Sequence, residues 1–294
     1  MAPPRLFCFG LGYSARALAK DVMEQGWRVA GSCRSAEKQV ELRDAGIEAY
    51  LFDRERPLED AAAALGGATH LLSSVPPDAP GDPVLDRHAA DIAALTTLEW
   101  AGYLSTTGVY GDRAGGSVDE FSELQPTGER GRRRVAAERD WLDMAAQHGV
   151  PVHVFRLAGI YGPGRNALET VQAGRARRII KPGQLFSRIH VDDIVAVLRA
   201  SMARANPGAV YNVCDDEAAP PQDVIAFACD LLGIAPPPEL PFEDADLSAM
   251  ARSFYRDNKR VSNRRIQQEL GVRLAWPDYR AGLRGLMADQ AVSN

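Results

Sequence analysis

Arg5-Leu6-Phe7-Cys8-Phe9-Gly10-Leu11-Gly12-Tyr13-Ser14-Ala15 is the stretch on which the fold turns. An apolar, aromatic run leads directly into Gly10-x-Gly12-x-x-Ala15, and good helix formers follow from Ser14 to Gln25. A G-x-G-x-x-G/A spacing is weak alone and specific when a strand precedes it and a helix begins inside it. Gly10 permits the tight turn, Gly12 lets the backbone approach a pyrophosphate, and Ala15 lets helix and strand pack closely. The helix N-terminus at Tyr13 and Ser14 then presents N–H groups and a positive dipole to phosphate. The competing possibility is a tight turn with no ligand.

Beyond this turn the first half of the chain alternates. Strand patterns fall at Arg5–Gly10, Arg28–Ser32, Glu48–Phe52, His70–Ser74, Tyr103–Ser105 and Val152–Leu157, and helical spacing at Ser14–Gln25, Ala36–Ala45, Pro83–Leu95 and Arg130–His148. Such alternation predicts an α/β protein with a doubly wound parallel sheet of Rossmann type. After a Gly/Pro loop at Gly159–Gly164 come a helix near Ala167–Ala176, a basic stretch turning at Pro182-Gly183, a helix at Val191–Ala205 and a strand at Ala209–Val213. Helices are then expected at Pro221–Leu232, Leu247–Phe254, Asn263–Leu270 and Tyr279–Met287, with a Pro-rich turn at Pro236–Pro238. The predicted division is a dinucleotide-binding domain over 1–165 plus about 190–215, and a smaller C-terminal α/β substrate lobe over 166–189 and 216–294. No repeat, low-complexity tract or flexible linker is evident.

The end of the second strand decides which dinucleotide fits. An acidic residue there bonds the ribose 2′-OH and repels a 2′-phosphate. Ala30-Gly31-Ser32-Cys33-Arg34-Ser35 has no carboxylate, and Arg34 offers a guanidinium fork suited to phosphate, so NADP is preferred over NAD; an ordinary solvated arginine is the alternative. Ser32 and Ser74 join the cofactor set. Asp53 either accepts from the adenine amino group or caps the turn at Pro57.

Composition narrows the function classes. The 294 residues are 46% hydrophobic and 25% charged, enough for a sizeable core. A net charge of -5 leaves no basic field for a nucleic acid, and no apolar stretch approaches a membrane span. Met1-Ala2-Pro3-Pro4-Arg5 does not read as a secretion signal. Cys8, Cys33, Cys214 and Cys229 form no C-x-x-C pair and no metal-ligand spacing, so buried free thiols and a cytoplasmic setting are expected, with no metal.

Three further motifs carry a resemblance. Ser105-Thr106-Thr107-Gly108-Val109-Tyr110-Gly111, Arg156-Leu157-Ala158-Gly159-Ile160-Tyr161-Gly162-Pro163-Gly164 and Arg188-Ile189-His190-Val191-Asp192-Asp193-Ile194 resemble signatures of the extended short-chain dehydrogenase/reductases, in the NAD-dependent epimerase/dehydratase group. Asn258-Lys259-Arg260-Val261-Ser262-Asn263 resembles atypical members, and the likeness spans nearly the whole chain. It implies a Ser/Thr holding the substrate oxygen, a Tyr as acid/base, and a Lys four residues later that lowers the Tyr pKa and holds the nicotinamide ribose.

By matching position Thr106 takes the Ser/Thr place, but Arg130 stands where the Tyr is expected and Arg134 where the Lys is expected. A guanidinium stays charged and has no acceptor lone pair, so it cannot shuttle a proton near neutral pH. Arg134 keeps the capacity to bond ribose hydroxyls. Arg130, one helical turn away, suits a carboxylate or phosphate of the substrate or developing negative charge. The alternative is that Arg130, Arg132, Arg133 and Arg134 form a solvated face tempered by Glu138. Remaining proton carriers are Tyr110, Tyr161 and His190, the two tyrosines favoured for packing and His190 as a positioned loop residue. Asp192 and Asp193 are expected as N-caps, and Thr107-Gly108 replaces the acidic pair of the sugar dehydratases. Arg175, Arg177, Arg178 and Arg188 either bind phosphate or form a basic solvated surface.

Two functions follow. One is an atypical NAD(P)-dependent oxidoreductase or epimerase/dehydratase-like enzyme acting on a small polar substrate, with an anion suited to Arg130. The other is a catalytically silent NADP(H)-binding sensor or partner-support protein. A monomer or homodimer is expected, with no nucleic acid or membrane partner.

Overall fold

A computed structural model describes residues 2–293, without the side chains of 291–293. Its first strands and helices alternate as β1 (Arg5–Phe9), α1 (Tyr13–Glu24), β2 (Arg28–Cys33), α2 (Ala36–Asp44), β3 (Glu48–Leu51), α3 (Ala61–Leu65), β4 (His70–Ser73), α4 (Pro83–Ala93) and β5 (Trp100–Thr106). There follow β6 (Ser117–Val118), α5 (Glu129–His148), β7 (Val152–Leu157), β8 (Gly159–Tyr161), α6 (Ala167–Gln172), β9 (Arg178–Ile180), β10 (Arg188–His190), α7 (Val191–Met202) and β11 (Val210–Val213). The chain closes with α8 (Pro221–Leu232), β12 (Glu239–Pro241), α9 (Ala249–Phe254), β13 (Arg260–Val261), α10 (Arg264–Leu270) and α11 (Tyr279–Ser293).

Seven strands form one sheet in the order β11-β7-β5-β4-β1-β2-β3, and β5-β4, β4-β1, β1-β2 and β2-β3 all pair in parallel. The order reverses between β1 and β4, which makes the carboxyl end of β1 the topological switch point where ligands bind in open α/β sheets. β1, β4 and β7 are buried at every position, as strands covered on both faces must be. Local chemistry sets the helix starts: Ser35, Asp60 and Asp82 each accept backbone N–H bonds from the first turns of α2, α3 and α4, and Pro83 opens α4.

The chain divides into two compact units. The first holds Met1–Thr106, Arg132–Arg156 and Val195–Tyr211, around a core that includes Phe7, Phe9, Phe52, Tyr103, Trp141 and Val154. The second holds Thr107–Gly131, Leu157–Ile194 and Asn212–Asn294, around Tyr161, Leu168, Val224, Ala228, Tyr279 and Leu283. Segment Thr107–Gly131, placed by sequence with the sheet, thus clusters with the C-terminal unit. That unit also contains short parallel pairs absent from the sequence reading: β8 with β10, β9 with β12, and β6 with β13.

Candidate functional site

The turn after β1 is held by hydrogen bonds from both neighbouring strands. Gly10 adopts φ +80°, a conformation that favours glycine, and its N–H donates to the Ser32 hydroxyl at 3.0 Å. Leu11 N–H donates to the Ser32 carbonyl at 2.9 Å, and the Ser74 hydroxyl donates to the Gly10 carbonyl. Ser32 and Ser74 therefore fix the turn from the ends of β2 and β4. Gly12 is exposed, and a Cβ there would meet nothing nearer than the Ser74 Oγ at 3.9 Å, so the space over its backbone is open. Gly12 is the N-cap of α1, whose first turn has neither a side-chain cap nor an acidic residue. Ser14 and Ala15 are buried against the sheet, and Tyr13 is half-buried. An uncapped twelve-residue helix aimed from a glycine turn fits a pyrophosphate.

At the end of β2, Arg34 is exposed, and its carbonyl accepts from Arg56 Nη2 at 2.6 Å. Two guanidinium-bearing residues thus sit together where the sequence offered one. Asp53 accepts from the N–H groups of Glu55 and Arg56, both at 3.0 Å, and pairs with the Arg56 side chain at 2.9 Å. Both its oxygens are engaged in the turn, the capping alternative of the sequence reading.

Helix α5 carries the positions expected for Tyr and Lys. Arg130 lies exposed in its first turn, with no ion-pair or hydrogen-bond partner among the described residues. Arg134 points elsewhere: its guanidinium donates to the Leu104 carbonyl and sits 5.6 Å from the centroid of the buried Tyr103 ring. Glu138 is not a solvated counter-charge but is 2% exposed, accepting from the Ser105 hydroxyl and from Arg156 Nε and Nη2 at 3.1 and 2.8 Å. The α5 spacing that puts Arg134 and Glu138 one turn apart marks this inward face; the sequence signal was there, and the surplus of arginine obscured it.

Thr106 ends β5 and is half-buried. Tyr110, in the 3-10 turn that follows, is wholly buried and donates to Asn212 Oδ1 at 2.7 Å. Its hydroxyl is thus engaged inside the protein. Tyr161 is buried too, its hydroxyl 3.4 Å from the Asp278 carbonyl and its acidity suppressed by burial. His190 lies edge-on to Tyr161, accepting through Nδ1 from Asp192 N–H at 3.2 Å. Burial holds this imidazole below its usual pKa.

Asp192 and Asp193 are not N-caps. Both lie inside the first turn of α7; Asp193 accepts from the N–H groups of Ala275 and Trp276 at 2.8 and 3.1 Å, and Asp192 faces Trp276 Nε1 at 3.3 Å. They tether the loop before α11. The arginines of this unit also part company: Arg177 bonds the Asp246 carbonyl, Arg178 pairs with Glu239, and Arg188 enters a cavity.

A parallel sheet with a glycine turn and an uncapped helix at its switch point defines a dinucleotide-binding α/β protein. Residues 86–214 match the NAD dependent epimerase/dehydratase family. Protein YeeZ of Escherichia coli is 30% identical over 278 residues, covering 92% of this chain and 95% of that protein. The chain belongs to the NAD dependent epimerase/dehydratase family. A functionally unknown conserved protein from Silicibacter pomeroyi is 54% identical with a TM-score of 0.90, over 97% of this chain and 99% of that one. The dTDP-glucose 4,6-dehydratase from Bacillus anthracis, solved in complex with NAD, shares the fold at 14% identity and a TM-score of 0.76, over 100% of this chain and 98% of that one. Among the described residues no helix is long and apolar enough to cross a membrane.

Proposed function

We propose that the chain is an NADP(H)-preferring member of its family, acting as an oxidoreductase or epimerase-like enzyme on a small polar, anionic substrate without a Tyr/Lys pair. The open glycine turn before the uncapped α1 carries this proposal. Gly10, Gly12, Tyr13, Ser14 and Ala15 would hold the pyrophosphate, and Arg34 with Arg56 the 2′-phosphate, since two guanidinium groups and one already paired carboxylate favour a dianion there. When bound, the nicotinamide supplies or accepts hydride. Thr106 would hold the substrate oxygen from the end of β5, and the exposed Arg130 would pair with an anionic group. The four cysteines are free and buried, which supports a reducing, cytoplasmic setting.

A second reading has its own observation. Arg134 is engaged with the Leu104 carbonyl and Tyr103 rather than left open for ribose hydroxyls, which favours a catalytically silent NADP(H)-binding sensor. Calorimetric titration of NADPH and NADH separates the cofactor question from the catalytic one. Arg34→Ala is expected to weaken NADPH about tenfold or more and leave NADH unchanged, while Gly12→Val abolishes both without unfolding the chain. Equal binding of both dinucleotides before and after Arg34→Ala would remove the NADP preference. Hydride transfer from stereolabelled NADPH to any member of a carbonyl panel sinks the sensor reading; tight binding with no turnover sinks the enzyme.

A further inference from the structure

Within the second unit, a cavity of about 280 Å³ opens among β8, α6, β10, α8 and α11. Its volume lies at the lower end of small-ligand sites. Ile160, Val224 and Leu283 give it an apolar side, Tyr161 and Tyr279 add ring faces, and Arg165, Asn166 and Thr170 make the side toward α6 polar. Arg188 also lines it. One nitrogen of that guanidinium, Nη1, is committed to the carbonyls of Phe186 and Ala219 at 2.8 and 3.0 Å. Its other donors have no protein acceptor, and no carboxylate of the described residues lies within ion-pair distance.

The carboxyl group that acts on it most strongly makes no ion pair with it. Asp215, whose N–H donates to the Arg188 carbonyl at 2.7 Å, is 3% exposed and forms no ion pair with the Arg188 guanidinium. Burial pushes this carboxyl up to about 8, against the pull of Arg188, which weakens it as a counter-charge. Arg188 is therefore a half-buried cation in a half-apolar cavity, with one edge of its fork open and no ion-pair partner among the described residues. A charge so placed is costly unless something pairs with it.

We propose that this cavity binds a small organic monocarboxylate, its carboxylate taking the open edge of the Arg188 fork and its apolar body lying against Ile160, Val224 and Leu283. A planar, bidentate fork matches a carboxylate, and the apolar stretch of wall beside it offers a short hydrocarbon body a surface that a hydrated inorganic ion does not use. The site lies wholly inside the second unit and stands whether or not NADP(H) binds the first.

The test is calorimetric titration of the whole chain with benzoate and isovalerate, against benzamide and inorganic phosphate as controls. Saturable binding of a carboxylate in the millimolar range or tighter is expected, with benzamide at least about tenfold weaker. Arg188→Gln removes the charge and Ala167→Phe fills the cavity while keeping Arg188; each is expected to weaken the carboxylate about tenfold or more and leave NADPH titration as in the parent. Circular dichroism and a urea midpoint within about 1 kcal/mol of the parent show that each variant is folded. Carboxylate binding that survives both substitutions, benzamide binding equal to benzoate, phosphate binding in preference to both carboxylates, or no binding at all by a folded parent chain overturns the proposal.

Discussion

Gly31 carries a requirement as strict as that of the glycines in the dinucleotide turn, and for a different reason. A Cβ on Gly31 would lie 2.6 Å from the Cys8 carbonyl oxygen and 2.7 Å from Leu11 Cδ1. Cys8 and Gly31 are register partners on β1 and β2, so the obstacle is backbone that cannot move without opening the sheet. Gly31→Ala is expected to cost about 2 kcal/mol or more, read as a lowered urea midpoint. By contrast Gly12→Val, which enters open space, should leave that midpoint within about 0.5 kcal/mol of the parent. An unchanged midpoint in Gly31→Ala would show that Leu11 alone yields. Gly10 and Gly12 were legible because their spacing is tied to a ligand; Gly31 was not, because its need arises from how closely two strands and one leucine pack.

Helix α5 shows the same limit over twenty residues. Its run of arginines reads as a solvated face, and Arg130 is indeed exposed, yet the inner stripe buries Ala137, Glu138, Trp141 and Met144. Glu138 is nearly sealed with Arg156 from β7, a pairing between residues eighteen apart that no local pattern announces. Removing one member leaves an uncompensated buried charge, whereas removing both leaves none. Arg156→Met is expected to destabilise by about 3–5 kcal/mol, and Glu138→Met/Arg156→Met by clearly less than the sum of the two single changes. Denaturant unfolding of all four proteins closes the cycle. Additive losses would mean that the ion pair contributes no coupling and that packing alone accounts for the cost.

For the whole molecule, the alternation of strands and helices in the first 157 residues was enough to read the doubly wound sheet, and the glycine turn placed its switch point. Pairs such as Arg260 with Ser117 were beyond sequence, because strands of two residues have no period and their partners lie far along the chain. The same distribution of buried groups sets how the protein responds to pH. Burial lowers His70 and His153 to about 4, so the unfolded chain binds more protons than the folded one between about 4 and the ordinary 6.5; stability rises with pH across that window. Asp215 acts in the opposite sense. Its folded value of about 8 stands above the ordinary 3.8, so the stability it contributes is complete below 3.8 and is lost as pH rises toward 8. Between 4 and 6.5 these two imidazoles, joined by the lowered His190, outweigh one carboxyl, although the raised carboxyls of Asp82, Asp193 and Glu120 offset part of the slope at its acid end. Above 6.5 the histidines no longer contribute and Asp215 prevails. The thermal midpoint should therefore peak near pH 6.5, with an acid limb set mainly by His70 and His153 and an alkaline limb set by Asp215. His70→Gln with His153→Gln should flatten the acid limb alone, and Asp215→Asn the alkaline limb alone. A midpoint that still falls between pH 6.5 and 8 in Asp215→Asn would show that some other group, and not the buried Asp215 carboxyl, governs the alkaline side.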